Sequence, residues 1–130
     1  MPIQLTATYA AVLALLFVVL SVRTLLLRRK LSIGVGDGGD LSLIKAARAH
    51  ANFSEYTPLC LILLFFLESS SGTPNTIHLY GVLLVVGRSI HAYGVSQVDE
   101  NYKFRVAGMA CTFVVLIGCS TRLLRLTLFG

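Results

Sequence analysis

The chain lacks tryptophan and is poor in charge: 13% of its 130 residues are charged, and only six are Asp or Glu. Disordered chains carry more charge and fewer apolar residues than this one, of which 55% are hydrophobic. The mean hydropathy is also positive, which is unusual for a soluble domain. A length of 130 residues suits one domain. The composition therefore predicts a single-domain membrane protein.

The scarcity of acidic residues leaves a formal charge of +5. A basic protein often binds nucleic acid, but this sequence has no basic stripe with interleaved aromatic residues and no known binding signature. Lys and Arg stand instead beside apolar runs, where they set the orientation of a membrane protein. No nucleic-acid partner is predicted.

The cysteines are few, and each lies inside an apolar segment: Cys60, Cys111 and Cys119. An odd number argues against a closed set of disulfides, and their spacing fits neither a zinc site nor a redox pair. We therefore expect small packing residues rather than reactive thiols, and no metal site.

Long apolar runs predict an all-α fold, an integral membrane four-helix bundle that occupies residues 1–130. No charge occurs in residues 1–22, and this run is too long for a signal peptide, so we expect a retained anchor helix. Pro58 is expected to kink the second helix. The predicted helices span about 5–29, 41–67, 77–95 and 104–128.

A glycine-rich segment, residues 34–40, separates the first two predicted helices. It matches the pattern G-x-G-x-x-G, which binds dinucleotides only between a strand and a helix. Since a membrane helix precedes the segment here, a flexible turn is favoured, with Asp40 as the N-cap of the second helix.

The positions of Lys and Arg predict the orientation in the cell (inner) membrane. The loops are numbered by the predicted helix that they follow. Loops one and three are rich in Lys and Arg and loop two has none, so loops one and three are expected on the cytoplasmic side. Arg122 and Arg125 oppose this trend. The residues that support it are Arg28, Arg29, Lys30, Lys45, Arg48, Lys103 and Arg105.

Several polar residues fall where the helices should cross the lipid: Arg48, Asn52, Glu55, Arg88 and His91. A charge inside the hydrocarbon costs about 2.5 to 3.5 kcal/mol on insertion scales. Counting about 1.5 Å per residue from the outer helix ends places Glu55 roughly 18 Å deep and Arg88 roughly 16 Å deep. Their similar depth predicts an ion pair between the second and third helices.

Helical spacing places Lys45, Arg48, Asn52 and Glu55 on one face, and Arg88 with His91 on another. For Glu55 and Arg88, interhelical hydrogen bonding and a functional role both remain open. The larger set, with Arg105 at the cytoplasmic boundary, favours a polar binding pocket. Arginine, asparagine and glutamate suit a small zwitterionic anion such as glutathione, whose thiolate a nearby arginine would stabilise.

The segment Arg48–Leu59 resembles the R-x-H-x-N-x-x-E signature on the second helix of the MAPEG superfamily, the membrane-associated proteins in eicosanoid and glutathione metabolism. Gly36–Gly39, Gly87–Gly94 and Arg105–Met109 resemble its bacterial branch. The resemblance covers essentially the whole chain.

This resemblance implies a homotrimer of four-helix subunits with glutathione, the co-substrate, held between neighbouring subunits. If the residue roles of the family apply at the matching positions, Arg105 would stabilise the thiolate and Arg88 would support Glu55. The implied activity is a membrane-bound glutathione transferase or peroxidase whose hydrophobic small-molecule substrate arrives from the lipid. A non-catalytic scaffold or lipid-binding protein is the alternative. The residues that would contact or orient glutathione are Arg48, Asn52, Glu55 and His91.

The sequence also departs from the family pattern at four positions. Leu26 occupies the place of an arginine near the end of helix one, and Ala51 that of a second arginine in the helix-two motif. Val95 and Met109 stand where family enzymes have tyrosines.

Overall fold

The computed structural model describes residues 4–70 and 72–130. These residues form four helices and no strand, which confirms the all-α prediction. Each helix begins and ends within about one turn of the expected boundary. In chain order the helices are α1 (Leu5–Leu31), α2 (Leu41–Ser70), α3 (Pro74–Ser96) and α4 (Tyr102–Phe129).

The helices α3 and α4 begin earlier than predicted because polar residues cap them. The Thr73 hydroxyl accepts a hydrogen bond from the Thr76 N–H at 3.4 Å, and Pro74 follows at the first helical position. The Asn101 side chain accepts one from the Lys103 N–H at 3.1 Å. Both caps lie in polar segments that apolar periodicity does not register.

The glycine-rich segment is a turn between α1 and α2, as predicted. Gly36, Gly38 and Gly39 have φ of 73°, 58° and 76°, a backbone region that favours glycine. The Asp40 carboxylate accepts from the Leu43 N–H at 2.9 Å, so its N-cap role is confirmed. Because the segment follows a helix, it lacks the strand that a dinucleotide fingerprint requires.

Within the described residues, three helices are long and apolar enough to cross a membrane: α1, α2 and α4. The fourth expected span, α3, is not among these three, and it carries the buried polar residues Arg88 and His91. Both α2 and α3 pack against all three other helices, whereas α1 and α4 do not touch. The inward face of α3 can therefore carry the buried polar side chains of Arg88 and His91, while Leu79 and Val82 are exposed on its outer face.

The helices α3 and α4 approach closely at two glycines. A Cβ at Gly108 would lie 2.5 Å from the Cβ of His91 and 2.6 Å from the carbonyl oxygen of Gly87. Small residues at such crossings let membrane helices pack backbone to backbone. Further along α4, beyond Gly108, the apolar core includes Cys119, and Cys60 of α2 is part of the same core. Both are fully buried, in keeping with their predicted packing role.

A carboxylate from α2 caps the beginning of α1. Gln4, the residue before α1, provides no side-chain cap. The two oxygens of Glu68 instead accept hydrogen bonds from the N–H groups of Leu5 and Thr6, at 2.6 and 2.9 Å. The first N–H groups of a helix have no partner within it, so Glu68 stabilises α1 and fixes it to the end of α2.

Candidate functional site

Arg88 of α3 is the most enclosed charged side chain described, at 1% exposure. Its Nη1 donates to the Oδ1 of Asn52 on α2 at 2.8 Å. Its Nη2 donates to the sulfur of Met109 on α4 at 3.5 Å, and the guanidinium lies 5.8 Å from the ring centre of Tyr56. Arg88 therefore joins three helices, and we call Asn52, Tyr56, Arg88 and Met109 the inner cluster.

The expected ion pair between Glu55 and Arg88 is wrong for the single chain. Among the described residues the ion pairs do not include Glu55, which is exposed, and Asn52 contacts Arg88 instead. On a helix the two α2 residues lie about 60° apart. Their spacing places both on one broad face, but it does not specify which edge of that face meets α3.

The inner cluster contains no carboxylate, so the charge of Arg88 has no counter-ion within it. Its Nε is buried and has no hydrogen-bond partner among the described residues. A buried guanidinium with an unused donor is costly unless an acceptor is supplied. The charge of Arg88 is therefore held by neutral partners alone, and one of its buried donors stays unused.

A second group of charges lies where α4 begins, and sequence analysis did not identify its central residue, Glu100. The Glu100 side chain is 3% exposed; one oxygen accepts from the Lys45 ammonium of α2, and the other lies 3.5 Å from Nη1 of Arg105. We call Lys45, Glu100 and Arg105 the surface cluster. The hydrogen bond from Lys45, and then the charges of Lys45 and Arg105, hold the pKa of Glu100 below its ordinary value.

His91 lies between the two clusters. It is buried on α3, one turn after Arg88, and its Cβ faces Gly108 of α4. Gly108 in turn lies one turn after Arg105 on α4. The predicted histidine is therefore one turn from Arg88 along α3 and packs against α4 one turn from Arg105.

Arg105 is half-exposed and lines an apolar hollow on the outer surface of α4. This hollow, of about 490 Å³, would face lipid and is also lined by Met109 of the inner cluster. An uncharged molecule arriving from the membrane could therefore reach the Arg105 guanidinium. The hollow is lined by Tyr102, Arg105, Val106, Met109, Ala110 and Phe113.

The single chain thus brings the predicted residues into two groups rather than one. Asn52, Arg88 and His91 are enclosed together, and Arg105 is held by a carboxylate that was not predicted. Arg48 and Glu55 are exposed on α2 and contact neither cluster through an ion pair or a hydrogen bond. The charged turn of residues 99–103 was the only signal in the sequence for Glu100.

Comparison with known proteins shows what the chain is similar to. Inner membrane protein YecN of Escherichia coli K12 is 33% identical to it over 114 residues, which cover 88% of this chain and 86% of the relative. YecN of E. coli strain CFT073 matches with the same figures. No solved structure matches the chain. The model of the MAPEG family matches residues 6–125, which include most of all four helices, so this membrane protein belongs to the MAPEG family.

Proposed function

We propose that the protein is a membrane-bound glutathione-dependent transferase, with peroxidase activity as a variant of the same chemistry. The observation that carries the proposal is the position of Arg105. Its guanidinium borders the polar end of the bundle on one side and an apolar, lipid-facing hollow on the other. A thiol from water and an electrophile from lipid would meet at such a place.

Arg105 would bind the glutathione thiolate and lower the pKa of the thiol. Once bound, glutathione supplies the nucleophilic sulfur, which bonds to an electrophilic carbon while the leaving group departs with its electron pair. Glu100 would fix the direction of the Arg105 side chain, since its other oxygen is held by Lys45. The apolar hollow would place the electrophile beside the arginine.

Two exposed charges on α2 support a site shared between copies. Arg48 and Glu55 are exposed on a helix that is apolar enough to cross the membrane, and leaving two charges facing lipid is costly. A homotrimer would place these side chains against a neighbouring copy. There Arg48 would bind a glutathione carboxylate, Glu55 its ammonium, and Asn52, with Arg88 and His91 behind it, a carbonyl group.

The test is the change Arg105→Gln, with Lys103→Gln as the matched control. Lys103 is an exposed cation two residues earlier on the same helix. We expect Arg105→Gln to lower kcat/KM for conjugation of glutathione to 1-chloro-2,4-dinitrobenzene about 100-fold or more, the usual effect of losing one donor to a developing anion. The loss should be greatest below about pH 8.5, where a free thiol is mostly protonated. Equal rates for wild type and Arg105→Gln would contradict the role of Arg105.

A non-catalytic scaffold or lipid-binding protein is the second candidate, and Met109 is the observation that favours it. Family enzymes resembling this chain have a tyrosine hydroxyl at that position, whereas here a thioether contacts Arg88. Calorimetric titration of the purified protein with glutathione separates the two candidates. The transferase requires saturable heat that is weakened by Arg48→Ala, and the scaffold predicts no saturable heat.

A further inference from the structure

At the end of the bundle opposite the surface cluster, two arginines of α4 face the turn between α2 and α3. Arg122 and Arg125 are one turn apart and line an open hollow of about 280 Å³. Its other walls are Leu67, Gly72 and Leu126. The hollow has room for several water-sized groups, and it combines two cations with apolar side chains.

In the part of the chain that the structure describes, neither of these two arginines forms an ion pair with a carboxylate. The ion pairs of the described residues both involve Glu100, at the other end of the bundle. Glu68 is a carboxylate at this end, but both its oxygens accept from backbone N–H groups of α1. Among the described residues, the contacts of Arg122 are with neutral groups: its Nη1 lies 3.3 Å from the Thr76 hydroxyl, and its guanidinium lies 5.8 Å from the Tyr80 ring centre.

The start of α3 adds to the positive potential beside the hollow. Thr76, which contacts Arg122, lies in the first turn of this 23-residue helix. Helix N-termini carry a partial positive charge and favour anions.

The distance along α4 places the arginines at the membrane boundary. Seventeen residues separate Arg105 from Arg122, or about 26 Å of helix, close to the roughly 30 Å of a hydrocarbon core. With Arg105 at one boundary, Arg122 and Arg125 reach the level of the headgroups in the opposite leaflet.

We infer that this hollow binds the phosphate of an anionic phospholipid. Guanidinium groups bind phosphate oxygens in pairs, and two of them converge on one hollow here. Leu67 and Leu126 would contact the glycerol and the first methylene groups of the lipid. Because two positive charges lie uncompensated, a lipid of net negative charge is preferred over a zwitterionic one. This inference is independent of the proposed catalytic function.

The experiment is native mass spectrometry of the delipidated, detergent-solubilised protein with phosphatidylglycerol, phosphatidylcholine or inorganic phosphate added separately. We expect a phosphatidylglycerol adduct that survives gas-phase activation better than the phosphatidylcholine adduct. The change Arg122→Gln with Arg125→Gln should weaken phosphatidylglycerol binding about tenfold or more. The matched control, Arg29→Gln with Lys30→Gln, removes two exposed cations at the other end of the bundle and should leave that adduct intact.

A third variant, Leu126→Trp, fills the hollow and keeps both arginines, so it should also weaken the adduct. Circular dichroism confirms that each variant retains its helices, and Arg122→Lys with Arg125→Lys should restore part of the binding. Equal loss in the control pair would mean that binding follows net charge, and would overturn the inference. Binding of inorganic phosphate without phosphatidylglycerol, or equal retention of both lipids, would also overturn it.

Discussion

Arg88 shows at the scale of a residue how a charge is held in this bundle. Its first partner is a neutral amide, Asn52, on the facing helix, and its second is a thioether. Neither partner neutralises the charge, so each hydrogen bond matters more than it would beside a carboxylate. Such groups stabilise the protein only while every partner remains in place.

Asn52→Leu should therefore destabilise the protein by about 2 kcal/mol, because a hydrogen bond to a buried charged group is lost. Ser54→Ala is the control, since the exposed Ser54 hydroxyl bonds only to a carbonyl of its own helix. Its expected effect is within about 0.5 kcal/mol. The free energies of unfolding of both variants can be measured by increasing the fraction of sodium dodecyl sulfate in mixed micelles. Equal free energies of unfolding for the two variants would show that Asn52 does not stabilise Arg88.

Glu100 gives the surface cluster a defined dependence on pH. Its pKa is lowered in the folded protein, so its contribution to stability is complete above the pKa of the unfolded chain, about 4.3. The contribution is lost as the pH falls through the lower, folded value.

We expect Glu100→Gln to be less stable than wild type at pH 7, and the difference to shrink as the pH is lowered below about 4.3. Asp99→Asn, a neighbouring exposed carboxylate in the same turn, is the control and should show a smaller difference at pH 7. Free energies of unfolding measured from pH 7 to pH 3 provide the comparison. A difference that grows on acidification would have the wrong sign for a lowered pKa.

The sequence indicates many of the polar residues but not their partners. Asn52 and Arg88 form a hydrogen bond, and His91 is buried one turn after Arg88. Glu55 was paired with Arg88 by depth alone, yet depth carries no information on the rotation of α2 about its axis. Glu100 was missed because a short charged turn looks like any solvated loop until folding closes it against Lys45.

At the scale of the elements, the crossing of α3 and α4 determines how closely the inner cluster is packed. Gly108 and Gly87 bring the two backbones together beside His91. A methyl group at Gly108 would collide with backbone and Cβ atoms that cannot move independently of the helices.

Gly108→Ala should destabilise the protein by about 1 to 3 kcal/mol, the usual cost of overpacking, although alanine favours a helix more than glycine does. Gly34→Ala is the control, because a Cβ there has nothing within 4 Å. Thermal unfolding in detergent compares the stabilities of the Gly108→Ala and Gly34→Ala variants. If Gly108→Ala were as stable as Gly34→Ala, the close crossing would be refuted.

The four helices could be predicted from apolar runs, while their ends and surroundings could not. Thr73 and Asn101 extend α3 and α4 through side-chain caps that hydropathy ignores. The surroundings of α3 follow from packing rather than from hydropathy, since its inward face buries Arg88 and His91 between helices.

At the scale of the whole molecule, the proposed function requires a trimer whose sites lie between copies. If Arg48 of one copy serves the site of a neighbour's Arg105, two inactive variants should complement each other. Co-expressed Arg48→Ala and Arg105→Ala chains would form mixed trimers in which at least one junction has both arginines intact.

We expect such mixed trimers to regain a fraction of the conjugating activity that neither variant shows alone. Native mass spectrometry should give assemblies of about three times 14.1 kDa. Mixing the two variants after purification, without exchange of subunits, is the control and should give no activity. A fully inactive co-expressed sample with mixed trimers present would place both arginines in one chain's site.

The hydrogen bonds from the first N–H groups of α1 to Glu68 have a consequence for how the protein is synthesised. While α1 emerges from the ribosome, its leading N–H groups have no acceptor of their own, and the carboxylate that serves them is synthesised about sixty residues later. The first two helices consequently complete each other as a hairpin. In a nascent chain that ends at Leu31, the first N–H groups of α1 are exposed to the lipid headgroups. A chain that reaches Ser70 can provide their acceptor before α3 enters the bilayer.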